Sequence, residues 1–300
     1  MTGIKKELYK NKYLYILAVP VILYYLIFCY GPMFGIVIAF KDYQVSQGVF
    51  ASKWVGLKYF KEFFSGMYFG RTLKNTLLIS LYDIVFGFPI PIIFALMLNE
   101  IGSTKYKKTV QTVTYLPHFI SMVVLCGMIV DFFSRDGIVT RFLALFGCPV
   151  TDYMGEAKFF KSIYVGTNIW QNFGWNSIIY LAAISGIDQE LYEAARIDGA
   201  KRMRQTIHIT IPGIAGTIIL MLVLRLGSVL SIGAEKIVLL YNSGTYETAD
   251  VISSYVYRMG ISGARYSYSA AVGMFQSIVN FAVLITANAV TKKLSGSSLF

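Results

Sequence analysis

The chain has 300 residues, of which 56% are hydrophobic and only 14% are charged. Soluble domains carry about 25% charged residues, so the composition excludes an ordinary water-soluble domain. The net charge of +11 would suit nucleic-acid binding in a soluble protein. Here the basic residues stand between apolar runs, as the positive-inside rule describes, so we expect a lipid bilayer around the chain and no nucleic acid as a partner.

Six apolar segments are long enough for membrane-spanning helices, which need about 20 residues each. The first follows a basic amino terminus, as in a signal peptide, but it is too long for one. We therefore predict an all-α, polytopic membrane protein whose single transmembrane domain covers 1–300, with an N-terminal span and a core over 71–292. The six predicted spans are 13–40, 73–98, 110–133, 163–187, 211–232 and 269–290.

Lysine and arginine cluster on one side of this six-span arrangement. The basic segments are the amino terminus with Lys5 and Lys6, the loop Lys105–Lys108, the loop Arg196–Arg204 and the tail at Lys292. Basic short loops stay in the cytoplasm, so both termini are predicted to be cytoplasmic. The opposite loops, 41–71, 134–162 and 233–268, are longer and mix in acidic residues.

Two absences restrict the chemistry. Cys29, Cys126 and Cys148 have no metal-ligand spacing, so we expect no metal site and no disulfide framework. The sequence also has no G-x-x-x-x-G-K-[ST] phosphate-binding loop, so ATP-driven transport would need a separate ATPase.

The predicted cytoplasmic segment 188–212 indicates two short helices joined by a glycine turn. Asp188 can cap the first helix, and Gly199 can adopt a positive φ at little steric cost. Pro212 suits the first turn of the fifth span, where an N–H is not needed. From this pattern alone, a solvated amphipathic loop is as good an interpretation.

Seven residues of this segment form a longer pattern: Glu193-Ala194-Ala195, then Gly199, then Ile209-x-Ile211-Pro212. The pattern closely resembles the EAA signature of binding-protein-dependent permeases, the membrane subunits of type I ATP-binding-cassette (ABC) importers. It departs from that signature where Asp188-Gln189 replaces a frequent proline and where Ile211 replaces the usual leucine.

Other stretches resemble the carbohydrate branch of these permeases. They are Trp54–Phe60, before the second predicted span, and Arg71–Thr76, at its start. Gly31-Pro32-Met33 and Ala39–Tyr43 resemble the polysaccharide and complex-oligosaccharide permeases of Gram-positive bacteria.

The resemblance implies a multi-pass permease in the bacterial cytoplasmic membrane that imports an oligosaccharide or polysaccharide fragment and is not itself an enzyme. It implies a second, different permease subunit, a dimer of ATPase subunits that bind ATP and Mg, and an extracellular solute-binding lipoprotein. The chain itself is expected to hold no cofactor. Docking on the ATPase would use the short helix and turn that contain Glu193, Ala194, Ala195, Asp198 and Gly199.

Charged and amide side chains inside the spans are candidates for the substrate path. A charge at the centre of a span costs about 2.5–3.5 kcal/mol, so Arg225 and Asp83 should face a cavity or form an interhelical ion pair. Amides donate and accept hydrogen bonds, as sugar hydroxyls require, and a tryptophan face suits a sugar ring. Helix packing is an equally good explanation of these polar residues: Asn172, Trp175 and Asn176 in the fourth span, and Gln276 and Asn280 in the sixth.

Two alternative functions, and the role of one aromatic segment, stay open at this stage. A type I importer permease for a non-sugar solute would share all of these features. A secondary transporter would show paired broken helices, whereas only the second span contains two prolines, Pro89 and Pro91. The aromatic external segment around Trp54 and Phe63 fits an interfacial helix or a docking site for the binding protein.

Overall fold

The structure, a computed structural model, describes residues 10–295, with side chains through 293. Lys5 and Lys6, which belong to the predicted basic amino terminus, lie outside the described residues. The described chain is mostly helical, and its residues divide into two compact units. One unit contains 10–66 and 258–275, and the other contains 67–257 and the residues from 276 onward.

The first unit begins with the predicted N-terminal span. A continuous helical segment runs over Lys12–Phe40 and is long and apolar enough to cross a membrane, and its most apolar 18-residue stretch contains no buried residue, which leaves a large apolar surface exposed. A lipid environment explains such surface, because apolar side chains need no protein cover there. The segment is built from Lys12–Tyr24, a π-helical turn at Tyr25–Tyr30, Gly31–Met33 and a 3-10 helix at Phe34–Phe40.

After this helical segment the chain forms a small motif of two strands and two short helices. Strands Lys41–Asp42 and Lys53–Trp54 pair antiparallel, with the short helix Gly48–Ala51 between them. The amphipathic helix Lys58–Ser65 follows, and Tyr59 and Phe63 are its buried residues. The unit also contains the π-helical turn Arg258–Ser262 and the first part of the helix Tyr266–Ser295.

The amphipathic helix is held by aromatic and ionic contacts within its own unit. The Phe63 ring lies 5.6 Å from the Phe275 ring, and Arg265 forms an ion pair with Glu62. The Tyr59 hydroxyl donates a 2.5 Å hydrogen bond to Asp42 Oδ1. Burial, together with this acidic acceptor, raises the pKa of Tyr59 to about 12. The buried face of this helix therefore packs on protein, and exposed aromatic side chains lie elsewhere on the helix.

The second unit holds most of the helices around an apolar core. Buried Ile79, Leu125, Phe160 and Ile237 belong to one hydrophobic cluster of this core. Its helices are Phe69–Tyr82, Pro89–Asn99, Thr104–Tyr115, Met122–Phe133, Ile138–Ala144, Ala157–Ser185, Gln189–Ile197, Arg202–Gln205, Ile211–Gly213, Ala215–Leu226, Ala234–Leu240, Tyr246–Ala249 and Ile252–Tyr257. Tighter or wider turns join them at Asp83–Gly87, Leu116–Phe119 and Thr206–Thr210.

Within residues 10–295, three helical segments are long and apolar enough to span a membrane: Lys12–Phe40, Phe69–Asn99 and Tyr266–Lys293. They match the first, second and sixth predicted spans. The fourth predicted span lies in a single 29-residue helix, Ala157–Ser185, which reaches about 44 Å at 1.5 Å per residue. Its composition is too polar for the same criterion, so the count of six spans stays a prediction.

The third predicted span is not one helix. Thr104–Phe119 and Met122–Ala144 meet at an angle of 99°. Ile120 and Ser121 have extended backbone there, and the Ser121 side chain caps the second helix by accepting from the Val124 N–H. Such a cap supplies a partner for one of the free N–H groups that begin a helix, so the break is stabilised locally.

The fifth predicted span, 211–232, is also broken and ends early. Arg202–Gly213 and Ala215–Leu226 are bent by 58° around Ile214. The helix then stops at Leu226, so Arg225 lies in its last turn rather than midway along a span. Pro212 explains part of the bend, because proline removes a backbone donor inside a helical run.

One glycine permits a very close helix contact. A Cβ built on Gly174 would lie 2.3 Å from the Thr114 carbonyl oxygen, a distance that no side chain tolerates. Small residues allow such backbone approach between membrane helices. The contact joins Ala157–Ser185 to Thr104–Tyr115.

Candidate functional site

The two charged residues predicted inside the spans form an ion pair. Arg225 Nη2 contacts Asp83 Oδ2, and both side chains are partly buried. Asp83 Oδ1 also accepts a 2.9 Å hydrogen bond from Asn168 Nδ2. The carboxylate therefore has both a counter-charge and an amide donor, which is how a charge is accommodated away from bulk water.

Local sequence explains the position of Asp83. It is the first residue of the π-helical turn Asp83–Gly87. Pro89 and Pro91 follow this turn. Because proline has no N–H, they cannot donate a hydrogen bond to the carbonyl groups four residues earlier, which belong to Val85 and Gly87. The helix therefore widens between Phe69–Tyr82 and Pro89–Asn99, and π-helical turns of this kind occur frequently at functional sites.

A polar network extends from the ion pair along the fourth predicted span. Asn172 Nδ2 donates to Asn168 Oδ1 at 3.1 Å, and Asn172 Oδ1 lies 3.0 Å from His118 Nδ1. The His118 ring stacks on Trp175 with 4.6 Å between ring centroids. The chain of contacts thus connects charge, amide, imidazole and an aromatic face within one unit.

Two cavities adjoin the ion pair. One measures about 240 Å³ and is lined by Asn168, Asn172 and Asn176 together with Asp83 and Arg225. These asparagines are four residues apart, so they share one helix face.

The other cavity measures about 280 Å³, and Asp83, Asn168 and Arg225 line it as well. On this side the walls include Tyr164, Glu235 and Lys236. The ion pair therefore borders both cavities.

Gln276 and Asn280 form hydrogen bonds with non-helical backbone. Asn280 Oδ1 accepts from the Leu230 N–H at 2.9 Å, and Asn280 Nδ2 donates to Ser231 Oγ at 2.8 Å. Gln276 Nε2 donates to the Leu230 carbonyl oxygen and lies 3.3 Å from Ser253 Oγ. After the helix ends at Leu226, these amides supply partners that the backbone would otherwise lack. Their role in a substrate path stays a prediction.

Lys236 is a site residue that the sequence interpretation left in an external loop. Only 3% of the residue is exposed, although it carries an ammonium group. Its Nζ lies 5.3 Å from the centre of the Tyr164 ring. The sequence did contain a signal, since Lys236 directly precedes the apolar run Ile237–Leu240.

The predicted coupling segment has the local structure expected of it. The helix Gln189–Ile197 is capped by Asp188, whose side chain accepts from the Glu190 N–H at 3.0 Å. Gly199 then has φ of +74°, and the chain reverses into Arg202–Gln205. These features confirm the predicted cap and glycine turn.

The outer face of the coupling segment is uncovered. No residue of Gln189–Ile197 is buried, and Ile197 is 87% exposed. Leu191 and Met203 are 54% and 72% exposed. On the inner side, the Tyr192 hydroxyl hydrogen-bonds Thr210 Oγ1 at 2.9 Å and so fixes the segment to the start of the following helix.

The structure thus brings together Asp83, Arg225, Asn172, Trp175 and Asn176, and it places Gln276 and Asn280 beside a different stretch of backbone. His118, Tyr164 and Lys236 were missed as site residues. Glu193, Ala194, Ala195, Asp198 and Gly199 lie together in the capped helix and its turn. Within residues 10–295, no three His, Cys, Asp or Glu side chains are grouped as a metal site would need.

Known proteins resemble this chain over nearly its whole length. Residues 31–296 match the model of a family described as the binding-protein-dependent transport system inner membrane component. Protein LplB of Bacillus subtilis is 43% identical over 97% of this chain and 92% of its own length. The polygalacturonan/rhamnogalacturonan transport system permease protein YteP of Bacillus subtilis is 40% identical over 98% of this chain and 92% of its own length.

A solved structure shares the fold as well. A chain from the crystal structure of a bacterial ABC transporter involved in the import of the acidic polysaccharide alginate has a TM-score of 0.89 and 42% sequence identity. The match covers 97% of this chain and 99% of that chain. A second structure of a bacterial alginate ABC transporter, in complex with an alginate pentasaccharide-bound periplasmic protein, matches with the same TM-score of 0.89.

Proposed function

The chain belongs to the family of binding-protein-dependent transport system inner membrane components, and from that premise we propose that it is the permease subunit of an ABC importer for an oligosaccharide or polysaccharide fragment. A second permease subunit completes the path, two ATPase subunits bind ATP and Mg on the cytoplasmic side, and an extracellular binding protein delivers the saccharide. Both termini lie in the cytoplasm in this arrangement.

The observation that carries the proposal is the uncovered coupling segment. Leu191 and Ile197 are exposed on a capped helix, in a chain whose long apolar helices suit a lipid bilayer. Exposed apolar side chains on a polar surface are typical of a protein-docking site. An ATPase bound to this helix can transmit the motion of the ATPase through the Tyr192–Thr210 hydrogen bond to the helices that follow Thr210.

The saccharide assignment is supported by the relatives and by the chemistry beside the ion pair. Amide side chains such as Asn172 and Asn176 provide both donors and acceptors, and the Trp175 ring, which stacks on His118 and is 40% exposed, adds an apolar surface nearby. Sugars bind proteins through this combination of polar edges and apolar faces.

The experiment is reconstitution of the complete importer in liposomes, with measurement of saccharide uptake and of ATP hydrolysis stimulated by the binding protein. Gly199→Val should abolish the stimulation, because a β-branched residue is strained at a φ of +74°. Gly102→Val is the matched control, since a Cβ there meets open space and the backbone is unstrained.

Two results would contradict the proposal. One is full stimulated hydrolysis by a Gly199→Val complex that has assembled in the membrane. The other is uptake that follows an ion gradient and ignores ATP, which is the behaviour of a secondary transporter.

A further inference from the structure

The buried ammonium group of Lys236 has no hydrogen-bond partner among the described residues. The side chain starts from the helix Ala234–Leu240, and it lines the 280 Å³ cavity that Asp83 and Arg225 also border. The residue is 97% buried, since its exposed fraction is 3%. Lys236 is therefore a buried cation without a hydrogen-bond partner among the described residues, and it borders this cavity.

Such an arrangement is costly unless something compensates it. An ion moved from water into a protein interior loses several kcal/mol of solvation. The Tyr164 ring, 5.3 Å from Nζ, offsets only part of this cost. A ring also leaves the three N–H donors of the ammonium without acceptors.

The other charges of the cavity do not supply the missing partner. Asp83 is already paired with Arg225 and accepts a hydrogen bond from Asn168. Glu235 lines the same cavity but is solvent-exposed and makes no ion pair with Lys236 in the described part of the chain. The cavity lining thus carries two cations and two carboxylates, but among the described residues the Lys236 ammonium has neither a hydrogen-bond acceptor nor an ion-pair partner, which makes it available to an anion.

We propose that Lys236 binds a carboxylate group of the transported saccharide, and that this residue makes the path selective for acidic sugars such as uronates. The proposal rests on the proposed function and deepens it. A cavity of about 280 Å³ is close to the lower limit of about 300 Å³ for small-molecule pockets, so it admits one sugar unit rather than a whole oligosaccharide. Between sugars, water molecules hydrate the ammonium group.

The test uses the complete reconstituted importer and two probes of equal length: trigalacturonate and its carboxyl-reduced, neutral counterpart. Lys236→Gln should lower the uptake of trigalacturonate at least tenfold and leave uptake of the neutral trisaccharide within twofold. Lys236→Arg should restore a large part of the acidic uptake, because it restores the positive charge. The exposed Lys108→Gln removes the same charge elsewhere and should change neither uptake.

A second measurement needs no variant and so does not depend on the folding of Lys236→Gln. A water-soluble carbodiimide activates the carboxyl group of bound trigalacturonate, and attack by the Lys236 amine then forms an amide and releases the urea. Mass spectrometry of the peptide that contains Lys236 should show this adduct in the wild-type complex, and excess unlabelled saccharide should prevent labelling by a tagged one.

The outcomes separate the two proposals. Wild-type uptake of either trisaccharide that ignores ATP and follows an ion gradient would refute the proposed function, and wild-type uptake of the neutral trisaccharide alone would refute the selectivity for acidic sugars. Wild-type uptake of trigalacturonate that survives Lys236→Gln unchanged would refute only the role of Lys236. An equal loss for both trisaccharides would also refute it, because a structural or chloride-binding lysine does not distinguish an acidic sugar from a neutral one.

Discussion

The Asp83–Arg225 ion pair gives the sharpest energetic prediction. Arg225→Met removes the guanidinium and leaves the Asp83 carboxylate, of which 17% is exposed, with only Asn168 as a donor. Stranding one member of a buried pair costs about 3–5 kcal/mol. Because 34% of the Arg225 side chain is exposed and water can enter, we expect the lower end, about 3 kcal/mol.

A second substitution isolates the electrostatic part of that cost. Asp83→Asn in the Arg225→Met background removes the stranded charge while keeping an oxygen that accepts from Asn168. The double variant should therefore be about 2 kcal/mol more stable than Arg225→Met, and the coupling energy of the pair is this gain plus the cost of Asp83→Asn alone. Asp83→Asn alone leaves Arg225 unpaired and should also destabilise the protein.

The assay is thermal unfolding of the four proteins in lipid nanodiscs, with all variants compared under one detergent-free condition. Soluble domains of similar size lose about 2–4 °C in Tm per kcal/mol, so Arg225→Met should lower Tm by about 6–12 °C. Additive losses, with the double variant at the sum of the two single variants, would refute the reasoning. They would show that Asp83 and Arg225 act independently, as two separate substrate contacts would.

Three further predictions follow from particular contacts. Gly174→Ala should destabilise the protein by about 1–3 kcal/mol, because the added Cβ meets a backbone carbonyl oxygen. Gly166→Ala on the same helix is the control, since its Cβ meets nothing within 4 Å, and it should be neutral or stabilising in the same thermal assay. Asp188→Ala should cost the coupling helix about 1 kcal/mol of capping, seen as faster amide exchange over that helix with unchanged exchange in the spans. Raising the pH from about 10 to 12 should destabilise the helix Lys58–Ser65 through Tyr59, because the folded protein holds the Tyr59 proton more tightly than the unfolded chain does. Tyr59→Phe should abolish this part of the alkaline loss of Tm.

Local patterns predicted much of the chain correctly. A long apolar run predicted the helical segment Lys12–Phe40, because hydrophobicity over about 20 residues is itself the requirement for crossing lipid. The Asp188 cap and the positive φ of Gly199 were also predictable, since both depend on the conformational preferences of single residues and their nearest neighbours.

The sequence by itself therefore determined the lipid-embedded helical class, the first, second and sixth helical segments and the capped coupling helix. Only the tertiary structure decided that Asp83 pairs with Arg225 and that the third predicted span breaks by 99°. It also decided that Asn280 serves the backbone of Leu230 and that Lys236 lies unpaired in a cavity. The physical reason is that periodicity and propensity act over a few neighbouring residues, whereas a charge or an amide finds its partner across 50 or more positions, according to which helices approach each other.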